Sequence, residues 1–121
     1  MRKRFIVEIG MGADLHGQDV TKAGCRAVKN AISSSCLCGL QEILALPRLD
    51  DMVVEVTIAT PLPEQVNHET VLAEIPFGQK TIQVVEGGLS VPTLFDEQQG
   101  DINENTVVSL AAVTVWVDVQ P

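Results

Sequence analysis

The chain has no tyrosine and very few other aromatic residues, which restricts how its interior can be built. Aromatic residues make up 3% of the 121 residues, whereas hydrophobic residues as a whole make up 45%. The core must therefore consist of Val, Ile, Leu and Ala, whose small side chains favour close packing of helices on a sheet. At this length we expect one domain, residues 1–121, with a core of its own.

Basic residues are also scarce. The chain has 8 Lys and Arg against 16 Asp and Glu, which gives a formal net charge of -8. Nucleic acids and anionic membranes are bound by clustered Lys and Arg. Neither is an expected partner, because the short basic segment at residues 2–4 is too small to reverse this balance.

Long apolar runs and paired cysteines are missing as well. No run approaches the roughly 20 apolar residues that span a bilayer, and Glu8 interrupts the apolar start of the chain, so a signal peptide is not expected. The 3 cysteines are an odd number and do not form a disulfide framework. These absences predict a cytoplasmic protein.

Hydrophobic periodicity predicts an α+β fold with the order β-α-β-β-α-β-β. The sheet is expected to be mostly antiparallel, with both helices on one face. The predicted strands are residues 3–10, 41–46, 52–60, 80–86 and 106–119, and the predicted helices are residues 20–32 and 63–74. Apolar residues on the uncovered face then need a partner, so we expect sheet-to-sheet homo-oligomerisation.

Two segments depart from ordinary lengths. The run 106–119 is longer than a usual strand and is expected to be bulged, bent or shared with another subunit. The loop 89–105 is polar and acidic and has no consistent period. A connection of this length is typical of a functional lid or of an arm that contacts a neighbour, although an exposed flexible loop is the alternative.

Asp14 and His16 lie two residues apart between glycines, where a strand-like segment gives way to a helix-like one. On extended backbone, such residues point to the same side, within reach of one metal ion, water or substrate. The spacing predicts a catalytic pair in which His16 is a general base or metal ligand and Asp14 is its orienter or co-ligand. Alternatively, His16 bonds the backbone of the turn and Asp14 caps the first helix.

The glycines around this pair, Gly10, Gly12 and Gly17, let the main chain turn and approach a ligand. They do not form a phosphate-binding loop, because the third glycine of GxGxxG would fall at Leu15 and Asp14 would repel a phosphate. Ligand contact by these glycines therefore remains the expectation, without the phosphate-loop mechanism.

Further ligand contacts are expected near the start of the first helix. Thr21 and Lys22 lie where main-chain N–H groups and a lysine could hold a carboxylate or phosphate. Lys22 could equally belong, with Arg26 and Lys29, to the solvated face of that helix. Glu86, which precedes two glycines, could carry a carboxylate into a cleft or simply end its strand in a turn.

A metal site is a further hypothesis. His68 is the second of the 2 histidines, and with Asp14 and His16 it would complete a three-residue site with an open position for a divalent metal such as zinc. Cys36 and Cys38 are too close together for the usual zinc-knuckle spacing. All three cysteines are expected to be core or half-exposed residues.

The segment GMGADLHGQD at residues 10–19 resembles the Lin family of short conserved hypothetical proteins, which has a GxGxDxHG motif near the N-terminus. The likeness continues through residues 19–28, the Thr60-Pro61 strand end and residues 86–89, and it covers most of the chain. The family has no established activity. The resemblance therefore implies a site at these glycines, Asp14 and His16 without assigning a reaction.

Two fainter resemblances suggest chemistry. The cyclodiphosphate synthases of isoprenoid synthesis are similar in their Gly-rich Asp-x-His segment, where Asp and His bind zinc in a trimer, but the sequences diverge soon after His16. The trimeric chorismate mutases are similar in the order of elements and in the strand end at residues 58–61, although their arginine-rich site is not matched here. They imply a chorismate-mutase-like architecture and a trimer.

Together these observations predict an oligomer that binds a small polar or anionic metabolite around Asp14 and His16, either as an enzyme or as a binding protein. Thr21 and Lys22 would anchor the anion. The rival hypothesis is a non-catalytic structural or regulatory oligomer whose glycine-rich segment shapes a subunit contact.

Overall fold

The computed structural model of the chain describes residues 1–120. Its strands are β1 (Arg2–Asp14), β2 (Val53–Thr60), β3 (Gln79–Glu86), β4 (Leu89–Pro92) and β5 (Asn105–Asp118). Its helices are α1 (Val20–Ile32), α2 (Gly39–Glu42) and α3 (His68–Leu72), with short 3-10 turns at Leu49–Asp51, Pro63–Gln65 and Glu97–Gln99. The predicted α+β class is confirmed.

The five strands form one mixed sheet in the order β1-β5-β2-β3, with β4 also paired to β5. β5 runs antiparallel to β1, β2 and β4, whereas β2 and β3 are parallel. Most of the strand pairs are thus antiparallel, as predicted, and the parallel pair β2–β3 makes the sheet mixed. A parallel pair requires a crossover, and the segment that contains α3 supplies it.

β5 lies in the middle of the sheet and pairs along its whole length. β1 follows one side of it, while β2 and then β4 follow the other, so that Ala59 faces Leu110 and Leu89 faces Val108. The register shift lies between Arg4 and Ile6, where β1 meets β5. The extra residue therefore lies in β1 and not in the long strand β5, for which the sequence predicts a bulge.

α1 packs on β1 at very short range, because the strand has glycines beneath the helix. A Cβ atom on Gly10 would overlap the backbone of Ala27 and Ala31, and one on Gly12 would overlap that of Ala23 and Ala27. These three alanines are completely buried. The small residues on both elements thus set the distance between helix and sheet.

Three local predictions are wrong. Residues 41–46 are not a strand, because Gln41 and Glu42 are the last residues of α2, in which Leu40 is buried, while Ile43 after the helix is exposed. The predicted helix 63–74 is interrupted by extended backbone at Val66, after which Asn67 caps α3. β4 lies within the predicted loop 89–105, and all four of its residues are exposed.

Both α1 and α3 cover the same face of the sheet. On the other face, the side chains of Val7, Ile9, Met11 and Leu110 are exposed, and no described element covers them. Only the end near Trp116 is shielded, by arginines 2 and 4, whose guanidinium carbons lie 4.7 and 5.0 Å from the ring centre. Within residues 1–120, no helix is long and apolar enough to cross a membrane.

Candidate functional site

The glycine-rich segment forms the turn between β1 and α1. β1 ends at Asp14, and Gly17 and Gln18 both adopt positive φ angles, 91° and 50°. Glycine adopts this region without strain, whereas a side chain such as that of Gln18 needs tertiary support. The turn sends the side chains of Asp14 and His16 in different directions, although both line the same cleft.

Asp14 is buried and both of its carboxylate oxygens have partners. Oδ2 accepts a hydrogen bond of 2.7 Å from the backbone N–H of Asp19, and Oδ1 accepts one of 3.1 Å from Nη1 of Arg26. The same Nη1 donates to the carbonyl oxygen of Ala13 at 2.7 Å. Asp14 thus ties the end of β1 to α1, while Asp19 is the residue that caps the helix.

His16 is held by Asp101 instead of Asp14. Its Nδ1 lies 3.0 Å from both carboxylate oxygens of Asp101. The Asp101 side chain is 1% exposed and that of His16 is 35% exposed. The prediction that Asp14 orients His16 is therefore replaced by an Asp101–His16 pair, in which the second ring nitrogen, Nε2, has no hydrogen-bond partner among residues 1–120.

Asp101 accepts further hydrogen bonds at close range. The backbone N–H of Gly17, Nε2 of Gln18 and the backbone N–H of Asp96 donate to it at 3.1, 3.1 and 2.7 Å. Burial raises the pKa of Asp101, but the hydrogen bonds outweigh it and lower the pKa from 3.8 to about 2. Asp101 is consequently ionised at neutral pH and fixes His16 in place.

Gln18 fastens the long loop to the turn. Its Oε1 accepts hydrogen bonds from the backbone N–H groups of Ile102 and Asn103 at 2.7 and 3.3 Å, while its Nε2 donates to Asp101. These contacts give the buried side chain of Gln18 the tertiary support that its positive φ requires. They also join the glycine-rich segment to the loop 89–105, for which the sequence predicts a lid, an arm or a flexible loop.

An open cleft of about 600 Å³ lies beside His16. It is lined by Ala13, Asp14, Leu15, His16, Lys22 and Arg26. Arg26 is paired with Asp14, whereas Lys22 is exposed and forms no ion pair with any described residue. The cleft therefore presents one unpaired positive charge and one imidazole edge to solvent.

The other predicted site residues are placed elsewhere or are already engaged. Gly10 and Gly12 lie beneath α1, and their position favours packing over ligand contact. The hydroxyl of Thr21 donates to the carbonyl of Gln65 and accepts from the N–H of Asn67. Gly17 contributes its N–H to Asp101 rather than to the cleft.

Glu86 and His68 do not line this cleft. Glu86 is the last residue of β3 and pairs with Thr60, across the sheet from β1, and His68 is the exposed first residue of α3. In the described part of the chain, no group of three or more His, Cys, Asp or Glu residues is arranged to hold a metal ion. The predicted ligand set of Asp14, His16 and His68 is thus not brought together.

The comparisons with known proteins find a family and a similar solved structure. A model of the conserved hypothetical protein family Lin0512 matches residues 4–115, which include the turn, α1 and Asp101. The structure is similar to that of an FtsZ-like protein of unknown function from Nostoc punctiforme PCC 73102, with a TM-score of 0.89, 45% identity and 97% of each chain covered. No curated protein matches the sequence.

Proposed function

We propose that this chain, which belongs to the Lin0512 family of conserved hypothetical proteins, binds a small anionic metabolite in the cleft beside His16. The carrying observation is the imidazole of His16, which a buried carboxylate holds on one side while its other nitrogen is left unpaired. In the same proposal, His16 accepts a proton from the bound molecule, as a general base does.

The charges around the cleft support an anion. Although the chain as a whole carries a net charge of -8, Lys22 lies one turn into α1 with no acidic partner among the described residues. The N-terminal N–H groups of Thr21 and Lys22 already donate to Oδ1 of Asp19, so the attraction for an anion comes from the side chain of Lys22. Because Asp14 is neutralised by Arg26, it does not cancel the attraction of Lys22.

The role of Asp101 follows from its contacts. A carboxylate at Nδ1 stabilises the neutral tautomer that has its proton on Nδ1 and its lone pair on Nε2. Nε2 is then the basic atom that a ligand in the cleft would meet. Asp14, which the sequence favoured as orienter, has the structural task of joining β1 to α1.

The test is a titration with inorganic phosphate and with malonate, followed by the imidazole NMR signals of His16. We expect both anions to shift these signals, and Lys22→Gln to weaken binding about fivefold to tenfold, because it removes one charge-assisted contact. Lys29→Gln is the matched control, a lysine on the same helix that does not line this cleft. Signals that do not respond to either anion, or equal effects of the two variants, would exclude the proposal.

A second candidate function, assembly of identical copies, is favoured by the uncovered sheet face. Exposed apolar side chains lie on this face, on β4 and in the long loop. They include Ile9, Met11, Leu89, Phe95, Ile102 and Leu110. Exposed apolar patches are typical of protein interfaces, and a second copy would present the same side chains.

In this second proposal the open face and the loop form the subunit contact, and the glycines do not. Gly10 and Gly12 lie inside the subunit beneath α1, so they act on assembly only by shaping the sheet. The trimer and the chorismate-mutase-like architecture implied by resemblance remain predictions of this proposal. Measurement of the molecular mass in solution decides the number of copies.

A further inference from the structure

A second pocket lies at the other end of α1. Its volume is about 420 Å³, within the range of about 300–1,000 Å³ that is usual for small-molecule sites. The sheet forms its floor through Val54, Val113 and Val115, and residues 35–38 together with Phe77 form its walls. A 13-residue helix is about 20 Å long, so this pocket is separate from the His16 cleft.

One carboxylate stands in this apolar pocket. Glu8 points from β1 toward the helix-covered face, lies opposite Val113 on β5 and is only 7% exposed. Its Oε2 accepts a hydrogen bond from the hydroxyl of Ser35. Its Oε1 has no hydrogen-bond partner in the described residues, and none of their Lys, Arg or His side chains forms an ion pair with Glu8.

The burial of the Glu8 carboxylate favours a partner of positive charge. A charged group surrounded by apolar side chains is costly unless it is paired. Among residues 1–120, one side-chain nitrogen or oxygen atom is both fully enclosed and without a partner, and it is Nε1 of Trp116. Oε1 of Glu8 also has no partner, but it is not fully enclosed and so stays open to the pocket. An incoming ligand can therefore reach it.

We propose that this pocket binds a small molecule with an apolar body and one ammonium group. The ammonium group pairs with Oε1 of Glu8, and the apolar body lies against the valines of the sheet and Phe77. A molecule of this kind satisfies the buried charge and removes apolar surface from water. The site selects for the charge opposite to the one favoured in the His16 cleft, so the two proposals stand independently.

Three probes that share a phenylethyl body test the charge preference. These are 2-phenylethylamine, which is an ammonium ion at neutral pH, the neutral 2-phenylethanol and the anionic 3-phenylpropanoate. Cys36 and Cys38 lie at the mouth of the pocket and are exposed, so a bound probe should slow their alkylation, while Cys25 lies elsewhere on α1 and reports any global effect. We expect protection by the amine at concentrations about tenfold to a hundredfold below those of the alcohol.

The variant Glu8→Gln keeps the shape of the side chain and removes its charge. We expect it to lose the preference for the amine over the alcohol, whereas Glu86→Gln, an exposed carboxylate at the end of β3, keeps it. Ser35→Ala removes the hydrogen bond to Oε2 but leaves the charge, so it should retain the preference. If Glu8 only anchors the segment around Ser35, these two pocket variants behave alike.

Any of three results would overturn the proposal. These are equal protection by amine and alcohol in the unmodified protein, an unchanged preference in Glu8→Gln, and no protection by the amine at millimolar concentration. Should Glu8→Gln fail to fold, the comparison of the three probes on the unmodified protein and on Ser35→Ala still gives the answer.

Discussion

The Nδ1 atom of His16 lies 3.0 Å from both carboxylate oxygens of Asp101, which is 85 residues further along the chain. This contact joins the turn after β1 to the loop before β5. Because β1 and β5 are neighbours in the sheet, the two segments meet at the same end of a strand pair. The candidate site is therefore created by the topology of the sheet.

The first prediction concerns the tautomer of His16. We expect neutral His16 to carry its proton on Nδ1, because the carboxylate of Asp101 accepts there, and Asp101→Asn to reduce this preference. Asp14→Asn should leave the tautomer unchanged, since Asp14 contacts Arg26 and Asp19. Nitrogen chemical shifts of the imidazole measure the tautomer directly. An effect of Asp14→Asn equal to that of Asp101→Asn would contradict the structure.

The second prediction concerns acid. The pKa of Asp101 falls from 3.8 to about 2 in the folded protein, so its contribution to stability is fully present above about pH 4 and is lost as the pH falls through about 2. Asp101→Asn should therefore lower the urea midpoint at about pH 5, and the difference from the unmodified protein should shrink toward pH 2.

Glu97→Gln is the control for this pH series. Glu97 lies in the same loop, is exposed, and its side chain makes no hydrogen bond to the described residues. We expect its urea midpoint to follow that of the unmodified protein throughout. A constant deficit of Asp101→Asn from pH 5 to 2 would show that charge is not the cause.

The third prediction concerns the close packing of α1 on β1. Gly12→Ala should destabilise the protein by about 3 kcal/mol, because its Cβ would overlap the backbone of Ala23 and Ala27. Gly24→Ala is the matched control, since its Cβ would meet Val71 at an ordinary 3.4 Å. We expect Gly24→Ala to lower the stability by less than about 1 kcal/mol or to raise it, because alanine favours helices. Chemical denaturation measures both changes in stability. A larger loss for Gly24→Ala than for Gly12→Ala would contradict the close packing of α1 on β1.

The fourth prediction concerns the open sheet face. Ile9→Lys places a charge in the centre of the proposed subunit contact and should lower the mass measured by sedimentation velocity. Ile43→Lys makes the same change at an even more exposed isoleucine outside that face, and it should leave the mass unchanged. A monomer in the unmodified protein would rule out the assembly proposal at once.

The fifth prediction concerns the thiols. Burial, together with the charges of Glu74 and Asp19, raises the pKa of Cys25, whereas Cys36 and Cys38 are exposed. Since the thiolate is the reactive form, iodoacetamide at neutral pH should modify two cysteines quickly and the third several times more slowly. Mass spectrometry resolves the phases, and Cys25→Ser should abolish the slow one. Three equal rates would argue against this environment.

Most of the fold could be predicted from periodicity, and its exceptions have local causes. α1 and the buried strands show the alternations that burial imposes. β4 has no buried face, because all four of its residues are exposed and its backbone pairs with β5. The prediction of a strand at residues 41–46 fails, because α2 is so short that Leu40 is its one buried residue and gives no period.

The position of the candidate site in the chain could be predicted from sequence, but the contacts between its residues could not. Asp14, His16 and Lys22 do share a cleft. The partner of His16 could not be chosen, because Asp101 is one of several acidic residues in a loop without period, and the length of that loop was the only signal. In the sequence Glu8 is only an interruption of an apolar run, because its burial depends on the pairing of β1 with β5.

The central place of β5 has a consequence for biosynthesis. β1 has no partner strand until residues 105–118 have left the ribosome, because β5 is the strand that joins β1 to the others. At about 5–20 residues per second, roughly 100 residues take about 5–20 seconds. During this time the apolar residues of β1 are open to other chains. The sheet is therefore completed after translation of β5, and nascent chains that stop short of it are candidates for chaperone binding.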